Sequence, residues 1–181
     1  MGLTDNYVIG HIGRFDRQKN HERLLKIFLS VFTLDKNARL LLVGDGALLD
    51  SVKILAQEMQ IEHAVIFAGE QENVSIWYQA MDVLVMPSRF EGVPLVSIEA
   101  QASGLPCVFS KAIPQSAGFG ANVRFLDLEQ SDEDWRKAIL THRHLQGLHA
   151  SESLISPQYD ISAAALYLQD TYIKLLEELS V

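Results

Sequence analysis

The sequence predicts a doubly wound α/β fold: a Rossmann-like parallel sheet between two layers of helices, α/β/α. Three observations lead there. Short apolar runs such as Leu40-Leu41-Leu42-Val43 and Val83-Leu84-Val85-Met86 alternate with longer segments whose apolar residues recur at helical spacing. The runs are apolar at every position, the pattern of strands covered on both faces. Turn residues stand directly behind them, at Gly13, Gly44-Asp45-Gly46, Ala68-Gly69 and Pro87-Ser88, on the side where open α/β sheets place ligand-binding loops.

In chain order, Tyr7–Gly10 is the first strand and His11–Lys19 the loop after it, with Asn20 the expected N-cap of the next helix. Leu24, Leu25, Phe28, Val31 and Phe32 give that helix a buried face. Leu40–Val43 is the second strand, followed by a helix over Ala47–Met59. Val65–Phe67 is the third, ended by Ala68-Gly69, with a helix expected over Val74–Met81. Val83–Met86 is the fourth. Pro94 suits the first turn of the following helix, where its missing N–H costs nothing, and Gly104 and Pro106 end that helix after Ser103. Cys107–Phe109 and Val123–Leu126 are the last strands. Ser131–Asp134 forms a capping-box pattern that starts a helix to about Leu145. Gly147–Asp160 reads as a loop. Ile161, Ala165, Leu168, Tyr172, Leu175 and Leu179 form a stripe on a terminal helix, expected to be mainly core.

The 181 residues fit a single domain, and 48% apolar content supports a substantial core. A formal charge of −8 argues against nucleic-acid binding, which needs basic surface. No apolar run approaches the about 18 residues of a membrane span, and the N-terminus lacks the basic and apolar regions of a signal peptide. The single cysteine, Cys107, sits in an apolar run and reads as a buried structural thiol. A cytoplasmic location is expected.

Arg89-Phe-Glu-Gly-Val-Pro-Leu-Val-Ser-Ile-Glu99 carries the strongest functional signal. Glu91 falls in a strand-to-helix loop, Glu99 inside the helix, and Gly92 lets the backbone approach a ligand closely. The helix N-terminus suits a phosphate. Two carboxylates flanking such an anion site could accept hydrogen bonds from sugar or ribose hydroxyls. In the first loop, Arg14 and Lys19 read from residues alone either as phosphate ligands or as an ordinary solvated basic loop. Neither a Walker loop nor a complete Gly-x-Gly-x-x-Gly is present, since Leu49 replaces the third glycine after Gly44 and Gly46. Asp132-Glu133-Asp134 is a helix start rather than a metal motif. The histidines show no metal-ligand spacing, and His11 is a core residue or a neighbour of the phosphate loop.

Pro87-Ser-x-x-Glu-Gly-x-Pro-x-x-x-x-Glu-Ala100, with its Glu-x7-Glu, resembles the family 4 retaining glycosyltransferases of GT-B fold, the glycosyl transferases group 1. Gly13-Arg14 with Lys19-Asn20, and Phe67-Ala68-Gly69, are similar to further motifs of that family. The resemblance covers nearly the whole chain but only the C-terminal, donor-binding half of a GT-B enzyme. It implies that Arg14 and Lys19, beside Gly13, grip the donor diphosphate, and that Gly44, Gly46 and Gly69 contact the nucleotide by backbone. Glu70 and Gln71 would line the base pocket. Gly92, Val93, Pro94, Leu95 and Val96 would bring helix N–H groups to the donor. Glu91 would hold sugar hydroxyls, forming the catalytic set with Arg14 and Lys19, and Glu99 would hold the ribose.

The resemblance further implies a UDP-sugar or GDP-sugar donor, a hexose transferred to a glycan or lipid-linked acceptor, and no required cofactor or metal. An N-terminal acceptor-binding domain of the same enzyme would be the partner, with Tyr167, Tyr172 and Leu176 facing it, and the full enzyme could associate peripherally with a membrane. The chain starts almost at its first strand, as an excised domain would, and alone would be inactive. Ile113-Pro114-Gln115 departs from the family's usual Ile-Pro-Glu. Two alternatives stand beside this reading: a GT-B nucleotide-sugar epimerase and a dinucleotide-binding Rossmann domain.

Overall fold

A computed structural model describes residues 3, 5–119, 121–143 and 161–178. Six parallel strands form one sheet: β1 (Tyr7–Ile12), β2 (Ala38–Val43), β3 (Val65–Gly69), β4 (Val83–Met86), β5 (Cys107–Ser110) and β6 (Val123–Leu126), in the order β3-β2-β1-β4-β5-β6. The helices between them are α1 (His21–Leu34), α2 (Leu49–Glu58), α3 (Ser75–Tyr78), α4 (Leu95–Ala102) and α5 (Asp132–Thr141), with α6 (Ile161–Glu178) last.

Successive strand residues point to opposite faces, so the continuous apolar strands feed two cores. Ile9, Leu40, Leu42, Val83, Val85 and Val108 pack with α1, α2 and α5, through Leu24, Phe28, Val52, Ala56 and Trp135. Val8, Leu41, Val43, Leu84, Met86 and Phe109 pack on the other face with Trp77, Tyr78 and Ala100 of α3 and α4. Cys107 lies in this second core, and burial pushes its thiol up, leaving a protonated packing residue.

Several expectations change in the structure. β1 runs on through His11 and Ile12. α2 starts at Leu49, with Leu48 as its N-cap: the first helical bond runs from the Val52 N–H to the Leu48 carbonyl, while the Leu48 N–H ties to the Phe15 carbonyl at 3.0 Å. α3 spans only Ser75–Tyr78. The Ala80 and Met81 N–H groups turn back to the Trp77 and Tyr78 carbonyls, three residues behind, which winds the chain tightly into β4. Pro94 is the N-cap of α4, just outside its first turn. Asn20 occupies the N-cap position of α1 without capping it: it is left-handed (φ 58°), and its side chain bonds elsewhere. The Ser131–Asp134 capping box is formed, with both reciprocal bonds present.

The α6 stripe is not core where its side chains are described. Leu168 is 52% and Tyr172 64% exposed, and Ala165 is exposed too. The expected loop Gly147–Asp160, Leu145 at the expected end of α5, and Leu179 lie outside the described residues, as do the side chains of Ile161, Leu175 and Leu176. Among the described residues, no helix is long and apolar enough to cross a membrane.

Candidate functional site

The strand order places the functional loops. β1 and β4 are neighbours in the sheet, yet α1 and α4, which follow them, cover opposite faces. Open α/β sheets bind ligands in the crevice at such a switch point, outside the carboxyl ends of the strands; here the loops Gly13–Asn20 and Pro87–Pro94 meet at that place.

Three consecutive residues of the first loop reach across to the second. The Gln18 carbonyl accepts from the Arg89 N–H at 2.8 Å. The Asn20 side-chain amide donates to the Pro87 carbonyl at 3.1 Å and accepts from the Arg89 guanidinium at 3.2 Å, so tertiary partners replace the helix-capping bond. Between them, Lys19 Nζ meets Glu91 Oε1 at 2.7 Å, with side-chain exposures of 14% and 6%. Gln18 Nε2 donates to Glu91 Oε2 at 2.9 Å. The Lys19 stem crosses Gly13, where a Cβ would stand 3.0 Å from Lys19 Cε, so a side chain at position 13 would crowd the lysine off this path.

Arg14 is exposed and lines a cleft of about 600 Å³ with Gly44, Asp45, Gly46 and Glu70. The glycines have a packing reason to be there. Gly44 has φ +135°, and a Cβ on it would stand 2.2 Å from the Gly13 carbonyl oxygen. At Gly46 the Phe15 backbone is similarly close. The Phe15 N–H donates to the Asp45 carbonyl, and the Gly44 N–H to the Gly69 carbonyl. The loops after β1, β2 and β3 are thus tied into one floor. Gly69 takes φ +70°, which favours glycine, and turns Glu70 into the cleft, while Gln71 bonds back to the Ala68 carbonyl.

On the other side, Glu91 and Gly92 lead to α4. Nothing lies within 4 Å of a Cβ built on Gly92, and Val93 and Leu95 are 47% and 70% exposed. The α4 N-terminus has no side-chain cap; its Ser97 N–H turns back to the Pro94 carbonyl, and Pro94 and Val96 are half-buried there. Glu99, one turn further on, accepts from the Tyr78 hydroxyl at 2.8 Å. Burial and this carboxylate push the Tyr78 hydroxyl well up, so it stays a donor.

Behind the first loop lies a histidine pair. His11 is fully buried, and its Nδ1 lies 2.8 Å from the Val85 carbonyl. A carbonyl only accepts, so Nδ1 carries the proton and Nε2 is bare. That bare nitrogen has no hydrogen-bond partner and lies 3.3 Å from where a Gly13 Cβ would be. Burial lowers the His11 pKa to about 4, and His21 is lowered further, so both rings are neutral. His21 stacks on Phe15 at 4.1 Å and meets His11 edge-on at 4.9 Å. A second cavity, of about 320 Å³, lies between α1 and α2, with Asp16, Arg17, Ser51 and Leu55 among its walls.

The sequence-predicted site residues therefore lie at one end of the sheet, at the end of β3, in the loops after β1, β2, β3 and β4, and in the first turns of α4. Gln18, Tyr78 and His21 were not foreseen. Gln18 and Tyr78 stand far in sequence from the glutamates they bond, and His21 gives only the signal of a polar residue at a helix start. Among the described residues, no group of three or more His, Cys, Asp or Glu is placed to hold a metal ion.

The family model described as glycosyl transferases group 1 matches residues 3–141. EpsF of Bacillus subtilis (strain 168), which carries a glycosyltransferase name, is 38% identical over 138 residues, 75% of this chain and 36% of EpsF. The Escherichia coli UDP-Gal:alpha-D-GlcNAc-diphosphoundecaprenol alpha-1,3-galactosyltransferase is 32% identical over 114 residues, 61% of this chain and 30% of that enzyme. The chain thus spans about a third of the length of these relatives. Among solved structures, Anabaena HepE in complex with UDP superposes with a TM-score of 0.81 at 20% identity, over 96% of this chain and 50% of HepE.

Proposed function

The chain belongs to the glycosyl transferases group 1 family, and from that premise we propose that it is the donor-binding domain of a retaining glycosyltransferase, taking a hexose from UDP-sugar or GDP-sugar. The observation that carries this reading is the pairing of Lys19 with Glu91 across the switch-point crevice, flanked by the Arg14 cleft and the uncapped end of α4. A diphosphate seated there meets a guanidinium, an ammonium and helix N–H groups, which is the charge stabilisation a departing nucleoside diphosphate needs. Glu91 accepts from sugar hydroxyls, Glu99 from the ribose, and Glu70 lies toward the base.

The nucleotide identity is supported by HepE, solved in complexes with UDP and with UDP-glucose. A lipid-linked or glycan acceptor is supported by the named substrate of the Escherichia coli relative. In this reading the acceptor is held by a second, N-terminal domain, the exposed face of α6 with Tyr167 and Tyr172 packs on that domain, and the enzyme works in the cytoplasm. Because transfer requires both substrates in register, this chain alone transfers nothing. Turnover onto any acceptor by the pure chain would refute that.

The testing experiment is a thermal-shift panel of UDP, GDP, ADP, their sugars and NADH. A UDP or GDP ligand should raise the melting temperature most. Stabilisation by NADH alone would favour a dinucleotide-binding domain instead. With the responding pair in hand, Glu99→Ala should weaken diphosphate and nucleotide sugar alike, by roughly ten- to a hundredfold. Glu91→Ala should selectively weaken the nucleotide sugar.

A further inference from the structure

The ion pair that marks the crevice raises a difficulty for its own site. Lys19 holds Glu91 Oε1, yet a bound diphosphate would draw that ammonium away. Glu91 would then be a nearly buried carboxylate, its side chain 6% exposed, without its cation and free to rotate just when it has to meet a sugar hydroxyl.

The other carboxylate oxygen has an independent partner. Gln18 Nε2 donates to Oε2 at 2.9 Å, and because a carboxylate only accepts, this bond fixes which way the Gln18 amide faces. The Gln18 backbone is itself held: its main-chain carbonyl accepts from the Arg89 N–H, tying the two main chains together two residues before Glu91. Being neutral, the amide is not drawn to a diphosphate as an ammonium is. It occupies one acceptor site of a carboxylate that has about four, leaving the charge and the other lone pairs for hydroxyls.

We propose that Gln18 is the positioning residue of Glu91, holding Oε2 so that the carboxylate stays aimed at the donor sugar when Lys19 moves to the diphosphate. The inference rests on the reading of Glu91 as the sugar-hydroxyl acceptor. Gln18 touches neither sugar nor phosphate. Its effect is transmitted through Glu91 and is confined to the sugar.

The test is calorimetric titration of UDP and UDP-glucose into the chain and into Gln18→Ala, Gln18→Glu, Glu91→Ala and the Gln18→Ala/Glu91→Ala double variant, with GDP and GDP-mannose as the second pair. Gln18→Ala should weaken UDP-glucose roughly three- to tenfold more than it weakens UDP, the weight of one hydrogen bond to a charged group felt at second hand. Gln18→Glu, which sets a like charge against Glu91, should show a larger selective loss. In the Glu91→Ala background Gln18→Ala should change neither ligand, an outcome that a merely structural role would not give. Equal weakening of UDP and UDP-glucose by Gln18→Ala, or a selective loss that persists without Glu91, overturns the inference. If Glu91→Ala is selective and Gln18→Ala is silent, the inference alone falls. If Glu91→Ala is not selective, or no nucleotide sugar binds the unaltered chain, the reading beneath it falls as well.

Discussion

Removing the Lys19 ammonium should destabilise the fold in a way that neutralising Glu91 repairs. The pair lies at 2.7 Å with side chains 14% and 6% exposed, so it is shielded from both water and salt. In Lys19→Ala the carboxylate keeps only the Gln18 amide. Losing a hydrogen bond to a charged group costs about 1.5–3 kcal/mol. For a chain of this size that lowers the melting temperature by roughly 3–12 °C. Glu91→Gln removes the charge that is left uncompensated, so Lys19→Ala/Glu91→Gln should be more stable than the sum of the single losses by about 1–3 kcal/mol. Urea unfolding of the four proteins measures this. The half-exposed pair Lys111–Asp127, at 2.8 Å with exposures of 51% and 55%, serves as the control and should couple by less than about 1 kcal/mol. Raising the salt to about 1 M should abolish the control coupling and leave most of the Lys19–Glu91 coupling. Additivity at Lys19 and Glu91 within about 0.5 kcal/mol would refute the claim that this pair is a shielded structural contact.

Two more outcomes follow. Nucleoside diphosphate affinity should be the same in EDTA and in magnesium, because Arg14, Lys19 and the α4 N-terminus supply the positive partners; a strict metal requirement in calorimetry would contradict it. His11, with its pKa lowered to about 4 by burial, stays neutral in the folded state while the unfolded chain takes up a proton below about 6.5. Stability should therefore be highest above that value and fall as the pH drops toward 4, by up to about 1.4 kcal/mol per pH unit from this group. In His11→Asn, whose amide N–H can still meet the Val85 carbonyl, that part of the slope should vanish in acid titrations of urea midpoints.

The sheet was legible because burial on both faces leaves its central strands almost wholly apolar. Val83–Met86, buried at every position, keeps its expected bounds for that reason. The loops were legible by place but not by contact. Lys19 and Glu91 stand 72 residues apart, and only the strand order sets them together. Asn20 misled because its composition signals a cap, whereas the second loop offers its amide stronger constraints. The exposed stripe on α6 misled for a related reason: spacing shows that a helix has an apolar face, not what the face packs against. Gly44 and Gly46, expected to contact nucleotide, are required at least as much by the backbones of Gly13 and Phe15.

Whether a nucleoside diphosphate binds in the switch-point crevice is read out by mapping backbone amide chemical shifts during a UDP or GDP titration. Shifts should concentrate at Gly13–Lys19, Gly69–Gln71 and Gly92–Val96, with little change along the groove between α1 and α2 at Ser51 and Leu55. Saturable shifts centred on that groove, or none anywhere at millimolar ligand, would contradict binding in the crevice.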